Sequence, residues 1–300
     1  MKNIQFNKYY KLFTLISSGL AIISILLLIF KGLNFGIDFK GGTLIELRAI
    51  DKQINISSLR SSFSKMNFGD VAIKNFGEDY DFLIKFEKKG PEKDLIQNIK
   101  KDLNASIGSG YEIRRVENVG PKVSAELLQS GIIAISLSLA AMLFYIWVRF
   151  EWQFSIGSII ALFHDVIITL GIFSLLSLEI NLSIIAAVLT IVGYSMNDTV
   201  VIYDRIRENL GKFHKLDIKD IANLSINETL ARTIITSVTT LLALFSIFIL
   251  GGEILRGFSF AMILGVLIGT YSSIFVASPI LKFLKVSYKT LEKEEEKIVP

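Results

Sequence analysis

The sequence predicts a polytopic α-helical membrane protein with six transmembrane helices. It also predicts one α+β ferredoxin-like extracytoplasmic domain between the first and second helices. Hydrophobic residues make up 51% of the 300 positions, and the mean hydropathy is +0.53. A soluble domain of this size cannot bury so much apolar sequence, because its surface must be largely polar. Several apolar runs have the length of about 20 residues that a bilayer-spanning helix needs.

The first predicted segment, residues 1–30, combines a short basic end with an apolar run. Lys2, Lys8 and Lys11 precede the run, which covers residues 12–30. The run is too long for the core of a signal peptide, and no small-residue cleavage site follows it. We therefore expect an uncleaved first helix with its amino end in the cytoplasm.

Residues 31–129 form the one polar insert. Their pattern predicts strands at 43–49, 71–75, 81–86 and 111–119, and helices at 54–66, with Ser57 or Ser58 near the start, and 91–105, entered by Pro91. The middle two strands are joined through residues 77–79. The resulting order, β-α-β-β-α-β, is that of a ferredoxin-like split βαβ fold.

Residues 130–282 are predicted to hold the remaining five helices of the membrane core. The predicted spans are residues 130–148, 154–178, 182–203, 233–250 and 258–281, and residues 283–300 form a charged tail. Pro279 is expected to end or kink the last span, and the Gly265-x-x-x-Gly269 spacing permits close helix contact. Lysine and arginine in the short loops place both termini in the cytoplasm and the insert outside.

The strongest candidate for function is Asp198, because it lies within a membrane-length run. Tyr194, Asn197, Asp198 and Val201 lie three or four residues apart, so on a helix they share one stripe facing protein or water. An ionisable residue inside a span marks a transport path by default. The alternative is a structural carboxylate near the interface that pairs with Arg205 or Arg232.

Arg232 begins the fifth predicted span. It is either the counter-charge that tunes Asp198 or an arginine whose head reaches the interface while its stem packs on apolar surface. His164 and Asp165 lie in the middle of the third span, where they form either a proton relay or interhelical hydrogen bonds that fix packing.

Charged residues after the fourth span are interpreted as an ordered cytoplasmic cap rather than as chemistry. They are Asp204, Arg205, Arg207 and Glu208. Special backbone positions flank the insert, where Gly41, Gly42, Gly120 and Pro121 are expected to shape hinges.

The composition argues against several function classes. The chain has no cysteine and two histidines, so a disulfide framework is impossible and a metal site is not expected. It lacks a phosphate-binding glycine loop, a Ser/His/Asp set and a GxSxG elbow, so we predict no enzyme and no cofactor. The net charge of +4 fits positive cytoplasmic loops and does not indicate nucleic acid.

Six motifs together resemble the SecD/SecF family of bacterial protein-export membrane proteins, within the RND superfamily. They are FGIDFKGGT (35–43), VGPKVSAEL (119–127), ALFHDVIITLG (161–171), VGYSMNDTVVIYDRIREN (192–209), LART (230–233) and GTYSSIFVASP (269–279). The first and fourth are typical of the SecF branch rather than of SecD. Gly36, Asp38, Asp204 and Arg205 belong to these motifs.

The resemblance implies a six-helix core, a complex with SecD, and association with the SecYEG channel and YajC. It implies proton-driven assistance to an unfolded preprotein on the outer side, after the motor SecA has acted inside. The family's proton-path aspartate and arginine match Asp198 and Arg232.

These observations lead to one hypothesis and two alternatives. Asp198 takes up and releases a proton, Arg232 tunes it, and the resulting helix shift moves the insert. The first alternative is an RND-type exporter of small molecules or lipids, which a substrate pocket between helices would support. The second is a non-transporting assembly subunit.

Overall fold

The computed structural model describes residues 4–51, 53–66, 68, 71–86, 92–288 and 290. Contacts divide the chain into two compact units, one of residues 1–34 and 134–300 and one of residues 35–133. The chain begins with a 3-10 turn (Phe6–Tyr9), α1 (Tyr10–Phe30), β1 (Asn34–Phe35) and α2 (Ile37–Lys40). The elements that follow are β2 (Gly42–Ala49), α3 (Ile56–Lys65), β3 (Val71–Phe76), β4 (Glu78–Phe86), α4 (Glu92–Ile107) and β5 (Tyr111–Val119). The remaining elements are α5 (Pro121–Arg149), α6 (Trp152–Leu175), β6 (Glu179–Ile180), α7 (Leu182–Lys212), α8 (Ile218–Leu250), α9 (Gly252–Ser272), a π-helical segment (Ser273–Ala277) and α10 (Ser278–Phe283).

Six helical segments of the described chain are long and apolar enough to cross a membrane, which confirms the predicted number of spans. They are Phe6–Phe30, Pro121–Arg149, Trp152–Leu175, Leu182–Lys212, Ile218–Leu250 and Ile254–Phe283. The chain is therefore a multi-pass helical membrane protein.

Three helices extend well beyond the predicted spans. α5 begins at Pro121 rather than at residue 130, α7 continues to Lys212, and α8 already begins at Ile218. Hydropathy marks only the apolar part of a helix, whereas the polar extensions are held by other forces. Lys212 pairs with Glu208 one turn earlier, and the Asp217 side chain caps α8 by accepting from the Lys219 backbone N–H.

Pro279 does not end the last span, and the other expectation, that it kinks the helix, stays a prediction. The π-helical segment Ser273–Ala277 precedes it, and the helix then continues to Phe283. A π segment shifts the backbone pairing by one residue and leaves carbonyl groups to other donors. Two side-chain hydroxyls bond to these carbonyl groups. Tyr203 donates to the Ala277 carbonyl at 2.8 Å, and Ser278 donates to the Ser273 carbonyl at 2.8 Å.

The centre of the membrane unit is formed by α6, α7 and the last span. About half of each of these spans is buried (50–56%), whereas α1, α5 and α8 are 11–17% buried. Tyr203 of α7 is completely buried in this core. It lies against Gly157 of α6, where an added Cβ atom would lie 2.3 Å from the tyrosine hydroxyl. A glycine at this position is therefore required by packing.

In the second unit, four antiparallel strands form one sheet in the order β3-β4-β2-β5. The order of elements along the chain from β2 to β5 is strand, helix, strand, strand, helix, strand. One face of the sheet carries Leu47 and Ile84, which pack with Phe63 of α3 and Leu103 of α4 in a buried core.

Details of this unit differ from the sequence expectation. Asn55, not a serine, caps α3, and Ser58 completes the capping box by accepting from the Asn55 backbone N–H. Glu78 already belongs to β4, because the turn is confined to Gly77, whose φ of +82° favours glycine. Pro91, the predicted helix entry, lies outside the described residues.

A buried ion pair connects two strands of this sheet. Arg48 of β2 donates two hydrogen bonds of 2.6 Å to the Asp81 carboxylate on β4, and Arg114 lies 3.4 Å away. The hydrogen bonds from Arg48, aided by the charge of Arg114, hold the pKa of the Asp81 carboxyl below its usual value.

Candidate functional site

Asp198 lies on α7 with 2% of its surface exposed, so its carboxylate is enclosed by protein. Its hydrogen-bond donor is Thr270 of α9, whose hydroxyl lies 3.3 Å from Oδ2. The Thr270 hydroxyl is in turn 2.8 Å from the hydroxyl of Ser237 on α8. A chain of two hydroxyls therefore joins this carboxylate to α8, the helix that carries Arg232.

Arg232 is exposed and forms no ion pair with Asp198, although both residues are described. It is near enough to act on the carboxylate electrostatically without touching it. Arg205, the other suggested partner, pairs with Glu228 at 2.7 Å and with Glu208. Among the described residues, Asp198 thus accepts one hydrogen bond, of 3.3 Å, and Arg232 is a positive charge that does not contact it.

Asp165 of α6 is held much more firmly, although it is also completely buried. Its Oδ2 accepts from Ser195 of α7 at 2.5 Å and from Ser272 of α9 at 2.7 Å. Its Oδ1 lies 2.8 Å from Nδ1 of His164. The three donors saturate this carboxylate and tie the three central helices together.

Two glycines of α9 allow these groups to meet. A Cβ atom on Gly265 would lie 2.2 Å from Ile191 of α7, and one on Gly269 would lie 2.9 Å from Cβ of Ser195. Only glycine lets the two helices approach this closely. The close approach predicted from the Gly265-x-x-x-Gly269 spacing is present, and it places Ser195 of α7 beside α9, whose Ser272 also donates to Asp165.

The second ring nitrogen of His164, Nε2, takes no part in the hydrogen bonds to Asp165. Its ring is 7% exposed and stacks on Tyr271 at 6.4 Å between centroids. Its Nε2 is buried and has no hydrogen-bond partner among the described residues. The ring borders an apolar groove of about 370 Å³, which α1, α6 and the end of the last span form, and Ser17 of α1 is among the few polar side chains there.

The predicted stripe on α7 is divided by the structure. Asp198 is buried, whereas Asn197 is exposed and Tyr194 and Val201 are half-buried. The Tyr194 hydroxyl is buried and finds no partner within the described chain. Asn197 and Asp198 are adjacent in the sequence, so their side chains point about 100° apart on the helix, and one is exposed while the other is buried.

The residues predicted to form a cap lie in an ion-pair network at one end of the bundle. Its pairs include Arg149–Asp204 at 2.7 Å, Arg205–Glu228 at 2.7 Å and Arg207–Glu151 at 2.8 Å. They join α7 to the residues between α5 and α6 and to α8. Partly exposed pairs of this kind contribute little individually, but as a network they fix the end of α7.

The motif residues that flank the insert occupy backbone positions of special geometry. Gly36 is the N-cap of α2, Asp38 lies in its first turn, and Gly41 follows it with φ of +78°. Gly42 has φ of +131°, and an added Cβ atom would lie 2.8 Å from the Phe86 carbonyl oxygen. Both glycines are therefore dictated by the turn and by close packing.

At the other end of the insert, Gly120 precedes α5, and Pro121 is the first residue of that helix. The Gly120 carbonyl accepts from Ser124 at 3.1 Å. Proline is favoured at this position because its missing N–H would have no partner in the first turn. The role of Gly41, Gly42, Gly120 and Pro121 in hinge motion stays a prediction.

Sequence reasoning missed three of the hydroxyls that define the site. None of Thr270, Ser237 and Ser272 was singled out from the sequence. Serine and threonine are common in membrane helices, so composition gives no signal for them. A signal for Ser272 would have been its position three residues after Gly269 on the same helix.

The matching family sequences cover most of the chain. The family described as "Protein export membrane protein SecD/SecF, C-terminal" matches residues 99–287, and the "SecD/SecF GG Motif" matches residues 26–49. The chain is 46% identical to the protein translocase subunit SecF of Rickettsia rickettsii over 97% of this chain and 96% of the relative. It is 48% identical to that of Rickettsia bellii over 93% of this chain and 92% of the relative.

A solved structure agrees with these relatives. The crystal structure of SecDF, a translocon-associated membrane protein from Thermus thermophilus, superposes with a TM-score of 0.85 at 37% identity. It covers 94% of this chain, whereas this chain corresponds to 39% of that longer protein. By sequence and by fold, the chain belongs to the SecD/SecF family of protein-export membrane proteins.

Proposed function

We propose that this chain is a proton-motive-force-linked accessory subunit of the Sec protein translocase. It acts with SecD in late export and release of preproteins, after SecA-driven translocation. Its relatives named SecF are translocase subunits, that is, transport components rather than enzymes. The observation that carries the proton linkage is the buried, weakly held carboxylate of Asp198.

The contrast between two buried carboxylates supports Asp198 as the group that exchanges a proton. Protonation of Asp165 would disturb hydrogen bonds to three groups at once. Protonation of Asp198 affects one hydroxyl, at 3.3 Å. A coupling group must change its charge repeatedly without loss of the fold, and Asp198 meets this condition while Asp165 does not. We accordingly assign His164 and Asp165 to packing in the first place.

A proton can do work only if two conformations bind it with different affinity. The hydroxyl chain offers a physical basis for such a difference. A charged Asp198 accepts a hydrogen bond from Thr270, whereas a protonated Asp198 can donate one to Thr270. The Thr270 hydroxyl can then donate to Ser237 instead of accepting from it. Arg232 lies on the same helix as Ser237, so a shift of α8 changes the field at Asp198. The shift reaches the insert through α1 and α5, which connect it to the membrane core along the chain.

We further propose that residues 31–129 form a ferredoxin-like domain outside the cytoplasm. The order of elements and the strand order β3-β4-β2-β5 support this interpretation, because each helix connects two strands that have a third strand between them. The lysines and arginines of the short loops support cytoplasmic termini in the bacterial inner membrane.

Exposed polar positions in the membrane helices support SecD as a partner. On α7 and α8 small or polar residues recur at helical spacing on the exposed surface; they are Ser183, Ala186, Thr190, Asn197, Arg232, Thr239, Ala243 and Ser246. The Thr190, Thr239 and Ser246 hydroxyls donate to backbone carbonyls of their own helices, and small exposed side chains let another membrane helix approach closely. A complex with SecD would cover this surface, and SecYEG, YajC and the unfolded preprotein are the further partners that we propose.

One observation bears on the alternative of a small-molecule or lipid exporter. The groove beside His164, of about 370 Å³, is lined mostly by apolar side chains, as a site for an acyl chain would be. Identity to SecF relatives over nearly the whole length outweighs it. The alternative of a non-transporting assembly subunit is distinguished from the proposed function by the export experiment with Asp198→Asn.

The test is preprotein export into membrane vesicles that carry SecD and either the wild type or Asp198→Asn, with and without collapse of the proton gradient. We expect Asp198→Asn to co-purify with SecD but to lose the part of export that depends on the gradient. Asp102→Asn, an exposed position in α4, is the charge-matched control and should behave as the wild type. If Asp198→Asn responds to gradient collapse as the wild type does, Asp198 is not the coupling group, and a scaffold role is favoured.

A further inference from the structure

Lysine side chains gather where the beginning of α8, the end of α10 and the amino-terminal 3-10 turn meet. Ile218 and Leu281 are buried in the same hydrophobic cluster, and Phe6 packs against it. Lys219 and Lys282 directly follow two of these residues in the sequence. The cluster therefore fixes the backbone from which the lysines project.

The lysines surround one polar cavity. Lys8 and Lys219 line a cavity of about 480 Å³ together with Gln5, Asn7, Asp220, Asn223 and Leu224. Lys282 does not line the cavity, but it lies close enough to Lys219 and Lys11 for the like charges to repel. We call this site, lined by Lys8 and Lys219 and flanked by Lys282, the basic cavity.

The acidic groups around the basic cavity do not balance its charge. Asp217 lies 4.0 Å from Nζ of Lys219, at the limit of an ion pair. Asp220 accepts a hydrogen bond of 3.2 Å from Asn7. Among the described residues, four lysines thus stand against two aspartates. Like charges that are brought together repel, and a bound anion removes this cost.

The position of the lysines along their helices indicates the source of that anion. Lys11 lies at the beginning of α1, and Lys282 lies next to the end of the last span, Ile254–Phe283. The headgroup region lies directly outside the apolar core of the bilayer. Basic pockets between membrane helices at this depth bind the headgroups of anionic lipids.

We propose that the basic cavity binds the phosphate of an anionic phospholipid. Lys8 and Lys219 contact the phosphate, and Lys282 strengthens the positive field. The bound lipid also fastens the amino-terminal segment to α8, which already holds it through Asn227, whose side chain exchanges two 2.8 Å hydrogen bonds with the Ile4 backbone. This site is independent of proton coupling.

The test uses the purified full chain in nanodiscs of phosphatidylcholine, with or without phosphatidylglycerol, and counts retained lipids by native mass spectrometry. The variant is the triple substitution Lys8→Gln, Lys219→Gln and Lys282→Gln. It should lose phosphatidylglycerol affinity by about tenfold or more, since each lysine near the surface contributes to anionic-lipid binding. Replacement of the same three lysines by arginine should preserve binding, and it guards against a variant that fails to fold.

A charge-matched control separates a built site from general attraction to the membrane. Lys212→Gln, Lys215→Gln and Lys285→Gln remove the same charge from exposed positions of the membrane unit outside the cavity. If this control loses as much affinity as the cavity variant, the proposal is overturned. Inorganic phosphate alone, added in phosphatidylcholine nanodiscs, should not raise the thermal midpoint. A rise equal to that given by phosphatidylglycerol would assign the cavity to free phosphate and overturn the lipid assignment.

Discussion

Replacement of Asp165 by alanine should damage the fold of the membrane core rather than proton coupling alone. The substitution removes the acceptor of two interhelical hydrogen bonds, from Ser195 at 2.5 Å and from Ser272 at 2.7 Å. It also removes the partner of His164. Three donors on three helices then lose their common acceptor inside a fully buried site.

The size of the effect follows from the number and kind of these bonds. A hydrogen bond to a charged group contributes about 1.5–3 kcal/mol, and a buried donor left without a partner costs about 1–3 kcal/mol. The serines recover part of this loss, because their hydroxyls can turn to backbone carbonyls of the preceding turn. Ser272 already lies 3.1 Å from the Gly269 carbonyl. We therefore expect Asp165→Ala to destabilise the protein by about 3–5 kcal/mol.

Asp198→Ala is the matched comparison, because it removes the same carboxylate chemistry from a neighbouring buried site. It breaks one hydrogen bond of 3.3 Å and should cost about 1 kcal/mol or less. Thermal unfolding of both variants in the same nanodiscs measures the contrast, and gradient-dependent export measures function. Asp165→Ala should unfold well below the wild type and lose export with or without the gradient.

A specific result would refute this reasoning. If Asp165→Ala unfolds with the wild type and loses only the gradient-dependent part of export, Asp165 is part of the proton path and not a packing centre. The assignment of Asp198 as the single coupling group would then be wrong as well. Asp165→Asn adds a graded test, because an amide can keep part of the hydrogen bonding and should lie between the alanine variant and the wild type.

Three further predictions test separate parts of the structure. Thr270→Val removes the hydroxyl that donates to Asp198 and should change the pH dependence of gradient-driven export while the thermal midpoint stays nearly constant; Thr270→Ser should restore the wild-type profile. Gly269→Val places a side chain against α7 and should cost about 1–3 kcal/mol in unfolding free energy, whereas Gly19→Val, with open space around it, should be tolerated. Asp81→Asn should lower stability at neutral pH and flatten its pH dependence in acid. The lowered pKa of Asp81 in the folded state means that its contribution is present above about pH 4 and is lost as pH falls through the folded-state value. Thermal unfolding from neutral to acid pH measures both effects, and equal acid sensitivity of the variant and wild type would contradict the last prediction.

The number of spans and the order of elements in the insert were predictable because both depend on local periodicity. An apolar run of bilayer length has no other stable place, and alternation marks a strand. The ends of helices were predicted less well. α7 and α8 continue beyond their apolar parts through capping and side-chain pairing, which hydropathy does not detect. Pro279 does not end the last span, and the π-helical segment before it lies in a buried part of the bundle, where the Ala277 carbonyl accepts from Tyr203.

The candidate site was predictable in its charged members and not in their partners. Asp198 and Asp165 are conspicuous because a carboxylate in an apolar run is costly. Which of them is saturated depends on serine hydroxyls brought near by Gly265 and Gly269, and that is a property of how α7 packs on α9. The stripe predicted from helical spacing is buried at Asp198, half-buried at Tyr194 and exposed at Asn197, and its role stays a prediction. Helical spacing predicts which side chains lie on the same side of α7, but the packing of neighbouring helices determines which of those side chains are buried.

The two carboxylates also explain why one helix junction can be both rigid and responsive. α9 presents Ser272 to Asp165 and, two residues earlier, Thr270 to Asp198. The first contact is short and belongs to a site with three donors, so it keeps α6, α7 and α9 together in either charge state of Asp198. The second is long and leads through Ser237 to α8, whose apolar membrane-spanning part is 17% buried, against 50–56% for the spans of α6, α7 and α9. A change of charge at Asp198 should for this reason move α8 against a fixed centre of α6, α7 and α9. A cross-link between α7 and α9 near residues 184 and 257 should leave gradient-driven export intact, whereas one between α8 and α9 near residues 248 and 260 should abolish it. Loss of export from the first cross-link would show that the centre itself moves.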